Sequence, residues 1–141
     1  MDAFFAKLHI ELVQRLESER KELHKLQKCR NELEAAFDKV TKEKNESELI
    51  YNYNILMFDR LAKSYEANNK EPDESYKQAE EYCIRYHSIY IFILTDYTDM
   101  ERKFTEESTK YTKLIHEKKV SIRRLKATQQ IMADVKHVWV I

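Results

Sequence analysis

The chain contains no glycine among its 141 residues, and its one proline, Pro72, stands near the midpoint. Average usage would supply about ten glycines in a chain of this length. Without them the backbone lacks the residue that enters positive-φ turns, bulges and close backbone approaches at no steric cost. Phosphate-cradling loops, dinucleotide fingerprints and nucleophile elbows all require glycine, so those chemistries are excluded. The two cysteines, Cys29 and Cys83, are too few for a disulfide framework. The longest apolar-looking run, Ile89 to Leu94, falls far short of the ~20 residues that span a bilayer. The N-terminus has no basic leader region, and Glu11 interrupts its apolar residues. Neither charge sign is in excess: 25 basic and 25 acidic residues give a net charge of zero. That balance gives no global attraction to nucleic acid or to a membrane. The expectation is a soluble intracellular protein, cytoplasmic or nuclear, with reduced thiols.

What the chain does contain suits long helices. Charged residues make up 35% and the hydrophobic class 43%, the balance of helices with one apolar stripe and solvated outer faces. One break is clear. Asn68-Asn69-Lys70-Glu71-Pro72-Asp73 joins asparagines that tolerate the left-handed region, a proline that ends a helix, and an aspartate suited to an N-cap.

The halves on either side can each be written in heptads. In the first, positions a run from His9 through Leu16, Leu23, Arg30, Phe37, Lys44, Tyr51 and Phe58 to Tyr65, and d from Phe5 and Leu12 to Leu61. In the second, a runs from Tyr76 through Cys83, Tyr90, Tyr97, Phe104, Tyr111 and Lys118 to Leu125, Met132 and Trp139. Its d positions include Ala79, Tyr86, Ile93, Met100, Glu107, Leu114, Ser121, Thr128 and Val135. A seven-residue repeat that keeps one phase along both halves predicts extended coiled-coil helices.

The predicted fold is all-α: a long antiparallel helical hairpin in one unit, residues 1–141. Its first arm spans 3–68, its turn 69–73, its second arm 74–137, and an apolar tail 138–141. Each arm would be ~100 Å long. A register pairing positions whose numbers total 137 sets Leu12 against Leu125, Leu23 against Leu114 and Phe37 against Met100. It also pairs two polar layers of opposite charge, Glu19 with Lys118 and Arg30 with Glu107, the kind of layer that fixes register. The alternative is a compact four-helix bundle, with extra turns in the polar stretches near 45 and 105.

Near the turn, apolar residues spill off the seam. Leu49, Ile50, Tyr53, Ile55, Leu56 and Met57 surround the first arm; Tyr82, Ile84, Ile89, Ile91, Phe92 and Leu94 surround the second. A helix apolar all round must be buried on more than one side. Ile50, Tyr53, Met57, Ile84, Ile89, Ile91 and Phe92 are therefore the expected oligomer interface, with the bulky tyrosines expected at the rim of a wider core. The apolar end Val138, Trp139, Val140 and Ile141 either caps the open end against Phe4 and Phe5 or docks a further subunit. Basic residues collect near the open end, and Lys119, Arg123, Arg124 and Lys126 form a candidate anion-binding surface.

Chemistry is sparse. Asp134 with His137, and Cys83 with His87, are single helical pairs rather than convergent ligand sets. No catalytic residue, metal or cofactor is expected. The reading is a non-enzymatic structural or adaptor subunit that assembles with itself or with other helical proteins. The alternative is a peripheral membrane-binding module, similar in outline to BAR-type helical rods, whose basic end contacts anionic lipid.

Overall fold

A computed structural model describes the backbone of residues 2–140 and the side chains of residues 3–137. It contains two helices, α1 (Asp2–Ala67) and α2 (Glu74–Val140), packed as an antiparallel hairpin. Both helices run unbroken through the polar stretches near 45 and 105, so the four-helix alternative does not form. With neither glycine nor proline in those stretches, nothing interrupts the backbone ladder. Thr41 and Thr109 instead return their hydroxyls to the carbonyls of Phe37 and Thr105, at 2.8 Å each.

The connection is built by local chemistry. Asn69 adopts φ 49°, the left-handed conformation that asparagine tolerates better than most residues. The Lys70 amide then reaches back to the Tyr65 carbonyl at 2.8 Å, and the Asn69 amide to that of Glu66 at 3.1 Å. This pair of bonds is a Schellman ending, with asparagine in the place glycine usually takes. Asp73 caps α2, accepting the Tyr76 amide at 3.1 Å on Oδ1. The same oxygen accepts the Tyr65 hydroxyl at 2.6 Å, and Lys70 pairs with the other carboxylate oxygen at 3.2 Å. The Tyr65 hydroxyl, the Tyr76 amide and Lys70 together hold the Asp73 carboxyl down at about 2.

The chain divides into two compact units. One joins Met1–Glu34 to Thr105–Ile141; the other is Ala35–Phe104 and carries the turn. In the first, Leu12, Leu16, Ile122 and Leu125 form a buried cluster against which Leu23 and Met132 pack. Ile115 is also buried, at 3% exposure, whereas Leu114 is 42% exposed.

This corrects the seven-residue phase. Between 104 and 129 of α2, positions 115, 122 and 125 are buried, and the half-buried positions 104, 107, 111, 118 and 129 fall in line with them, with 108, 120 and 121 half-buried at the edge. Two four-residue steps follow one another at 107–111–115, a stutter that relaxes the supercoil locally. The shift buries Ile115 and Ile122, leaves Leu114 exposed and keeps Ser121 half-buried at the seam's edge. A second stutter, 8–12–16, brings Leu8 inward and leaves His9 exposed.

In the turn-bearing unit the original phase holds, and aromatic rings fill it. Phe37 stacks between Phe104, at 4.5 Å between centroids, and Tyr97 at 5.7 Å. Tyr51 stacks on Tyr90 at 4.8 Å, and Tyr76 lies against both Phe58 and Tyr65. Phe37 therefore sits over the gap centred near Met100, the position its register predicts. Tyr51 and Tyr90, and Tyr65 and Tyr76, thus face one another across the seam, Tyr97 meets Phe37, and Tyr86 lies against Tyr82 on its own helix. Lys44 joins the stack with its ammonium 5.1 Å from the Tyr97 ring centre, and Glu48 holds it at 3.2 Å. A cation over an aromatic face keeps that polar seam position compatible with the helix.

Candidate assembly surface

The turn-bearing unit leaves its outer faces unburied. Of the fifteen large apolar side chains exposed among the described residues, eleven lie in this unit: six on α1 and five on α2. They range from Met57 at 40% exposure to Leu49 at 70%.

Helical phase sorts them into two flanks. At 100° per residue, Ile50 and Met57 stand beside the α1 seam, Tyr53 one step further round, and Leu49 with Leu56 beyond it. On α2, Tyr82 and Ile89 stand beside the seam, and Phe92 lies a step further out. These belong to one side of the hairpin, because Met57 and Tyr82 line the same open groove of about 280 Å³, floored by Phe58, Leu61 and Cys83. Ile55, Ile84 and Ile91 fall on the opposite flank. The seven expected interface residues thus do not form one patch: Ile50, Tyr53, Met57, Ile89 and Phe92 share a side, and Ile84 with Ile91 face away.

Two hydroxyls beside the second flank are bonded within their own helix. Ser88 Oγ donates to the Ile84 carbonyl at 3.2 Å, and Thr95 Oγ1 to that of Ile91 at 2.9 Å. Their hydroxyls are therefore already bonded to the backbone of their own helix. Leu49, Leu56 and Tyr82 belong to the first exposed flank, though they are not among the seven expected interface residues. The signal that unites the α1 set is its spacing, since Leu49, Ile50, Tyr53, Leu56 and Met57 stand at i, i+1, i+4, i+7 and i+8.

The two polar layers behave differently. Lys118 reaches Glu19 at 3.2 Å and also binds Glu22, which lies one turn along α1. These contacts raise the Lys118 pKa, and Lys118 lowers that of Glu22. Arg30 makes no ion pair with Glu107, and its buried Nε has no hydrogen-bond partner.

At the open end, Lys119, Arg123, Arg124 and Lys126 are all exposed; Lys119, Arg123 and Lys126 stand at i, i+4 and i+7 on one face of α2, and Arg124 lies off that face. Arg124 lines a groove of about 560 Å³ with Arg15 and His116. Lys126 lines a separate groove of about 600 Å³ with His9, Ile10 and Lys136. Of the apolar end, the side chains of Val138, Trp139 and Val140, and all of Ile141, lie outside the described residues.

Cys29 and Cys83 are free thiols in different units. Cys83 Sγ donates to the Asn54 carbonyl at 3.3 Å, and burial raises its pKa. Among the described residues no three or more His, Cys, Asp or Glu side chains gather to hold a metal ion, and no helix is long and apolar enough to cross a membrane. Comparison with protein-family models, with curated proteins and with solved structures finds no match for this chain.

Proposed function

We propose that the protein is a non-enzymatic structural or adaptor subunit whose turn-bearing half recruits other helices. The observation that carries this reading is the eleven-residue apolar surplus on the outer faces of Ala35–Phe104. Monomeric soluble proteins rarely expose contiguous apolar patches above a few hundred Å². Here the flank of Ile50, Tyr53, Met57, Tyr82, Ile89 and Phe92 lies beside a groove already lined by apolar and aromatic side chains. An amphipathic helix laid along it would bury these residues by the same packing that joins α1 to α2.

The substitution Met57→Asp combined with Ile91→Asp tests the reading by charging both flanks at once. The expected outcome is loss of the oligomer, measured by light scattering, with helicity by circular dichroism largely retained. An unchanged oligomeric mass would overturn the reading. Localisation inside the cell belongs to the same proposal, resting on two unpaired thiols.

A further inference from the structure

The outer stripe of α1 is self-complementary. Tyr53 is its centre. Three residues to either side stand Ile50 and Leu56, and four to either side Leu49 and Met57. Seven residues away stand Glu46 and Arg60, and ten away Glu43 and Lys63. Every apolar residue of the stripe is mirrored by another, and every acid by a base. All nine side chains are exposed.

Glu43, Glu46 and Arg60 have no ion-pair partner among the described residues, and Lys63 holds only Asp59, at 2.9 Å across one helical turn. A stripe that reads the same in both directions, with its charges inverted, is the pattern an isologous two-fold contact requires.

We infer that the protein forms a homodimer in which the Glu43–Lys63 stripe of α1 packs antiparallel on the same stripe of a second copy, about a two-fold axis at Tyr53. Leu49 then meets Met57 of the second copy and Ile50 meets Leu56. The two tyrosines cross at the axis, and each end is closed by Glu46 opposite Arg60 and Glu43 opposite Lys63. Tyr82, Ile89 and Phe92 stand on the same flank and extend the apolar area beside the α1 stripe.

The five apolar side chains of the stripe, from Met57 at 40% to Leu49 at 70% exposure, present on the order of 600 Å² per copy, and the four charged side chains at its ends add to this toward the ~800 Å² that a stable interface takes from each partner. A foreign helix could satisfy the apolar residues, but it would have no reason to find acids and bases disposed symmetrically about one tyrosine. This inference rests on the assembly reading above and specifies its partner.

The test is charge reversal in the full chain, read as the dimer dissociation constant by sedimentation across a dilution series. The two-fold axis doubles every substitution, so Glu46→Arg alone and Arg60→Glu alone should each weaken the dimer about tenfold or more. The double variant Glu46→Arg/Arg60→Glu should return to within about threefold of the original. Mixing the two single variants should give a heterodimer tighter than either homodimer, because each then supplies the charge the other needs.

Both positions are exposed on the helix surface, so circular dichroism should show unchanged helicity throughout. Single variants that leave the dimer unaffected, or that weaken it without rescue by the double variant or the mixture, overturn the inference. If that oligomer is still dissociated by Met57→Asp/Ile91→Asp, the assembly reading survives and only the antiparallel pairing fails. A chain that stays monomeric at every concentration removes both.

Discussion

The two halves of this hairpin solve the same packing problem with different side chains. The half made of residues 1–34 and 105–141 buries Leu12, Leu16, Ile115, Ile122 and Leu125, branched aliphatics that fit the narrow space between two helices. The turn-bearing half stacks half-buried rings and a lysine there, and among its described residues only Tyr65 is buried, at 8% exposure. Large rings hold two helices together without being enclosed by them. The same half carries its leucines, isoleucines and methionine outside. One half is complete as a pair of helices; the other has the composition of a larger core that two helices only begin to build.

The most forceful way to break this contrast is to place one carboxylate in each half. Ile122→Asp, inside the aliphatic cluster, should abolish cooperative folding of its half, because an unpaired charge buried there costs several kcal/mol. Leu56→Asp, on the exposed stripe, should leave the thermal unfolding of the monomer nearly unchanged and alter only its association. Equal destabilisation by the two would erase the distinction.

The stutter offers a sharper and smaller test. Truncating Ile115 to alanine should cost about 2–4 kcal/mol in chemical denaturation, and truncating Leu114, its immediate neighbour, under about 1 kcal/mol. The opposite ranking would restore the uninterrupted seven-residue phase.

The turn should give a pH-dependent effect. Asp73 has a folded-state carboxyl at about 2, below its ordinary 3.8. Its stabilisation is therefore full above that ordinary value and is lost as the pH falls through about 2. Asp73→Asn should remove this part of the acid-unfolding profile and fray the first turn of α2. A variant with the acid limb of the original would show that the Tyr65–Asp73–Lys70 cluster contributes nothing.

Least in size, Lys118→Gln should lower stability modestly and reduce its dependence on salt, since the Glu19 and Glu22 contacts are partly exposed and screened. A loss as large as that from Ile122→Asp would make the ion pairs, not the aliphatic cluster, the anchor of that half.

Much of this was legible from residue type alone. The absence of glycine and the run Asn68–Asp73 pointed to two helices and one turn, with extra turns near 45 and 105 left open as a four-helix alternative, and the structure uses Asn69 and Asp73 for the local bonds their side chains suit. Two-helix geometry was legible as well, through the meeting of Glu19 with Lys118. The stutters were not, because Leu114 and Ile115 are adjacent and equally apolar. Only the following turn, where Ser121 precedes Ile122, discriminates between the phases, and His9 beside Leu8 gives the same signal at the other end. Nor was the sorting of the apolar surplus into two flanks evident. It depends on which side of the seam each residue stands, as the groove shared by Met57 and Tyr82 makes plain. The rings of Tyr51 and Tyr90 looked too large for a two-helix seam; laid parallel, 4° apart, they fit it.

The central claim is that the exposed apolar flank of the turn-bearing half is covered in the working protein. Its most direct test is the solution mass of the purified full chain, by size exclusion with light scattering. The expected mass is a defined multiple of 17.1 kDa that falls to the single-chain mass when Met57 and Ile91 are both replaced by aspartate. A monodisperse species of 17.1 kDa at every concentration, with no aggregation, would contradict it.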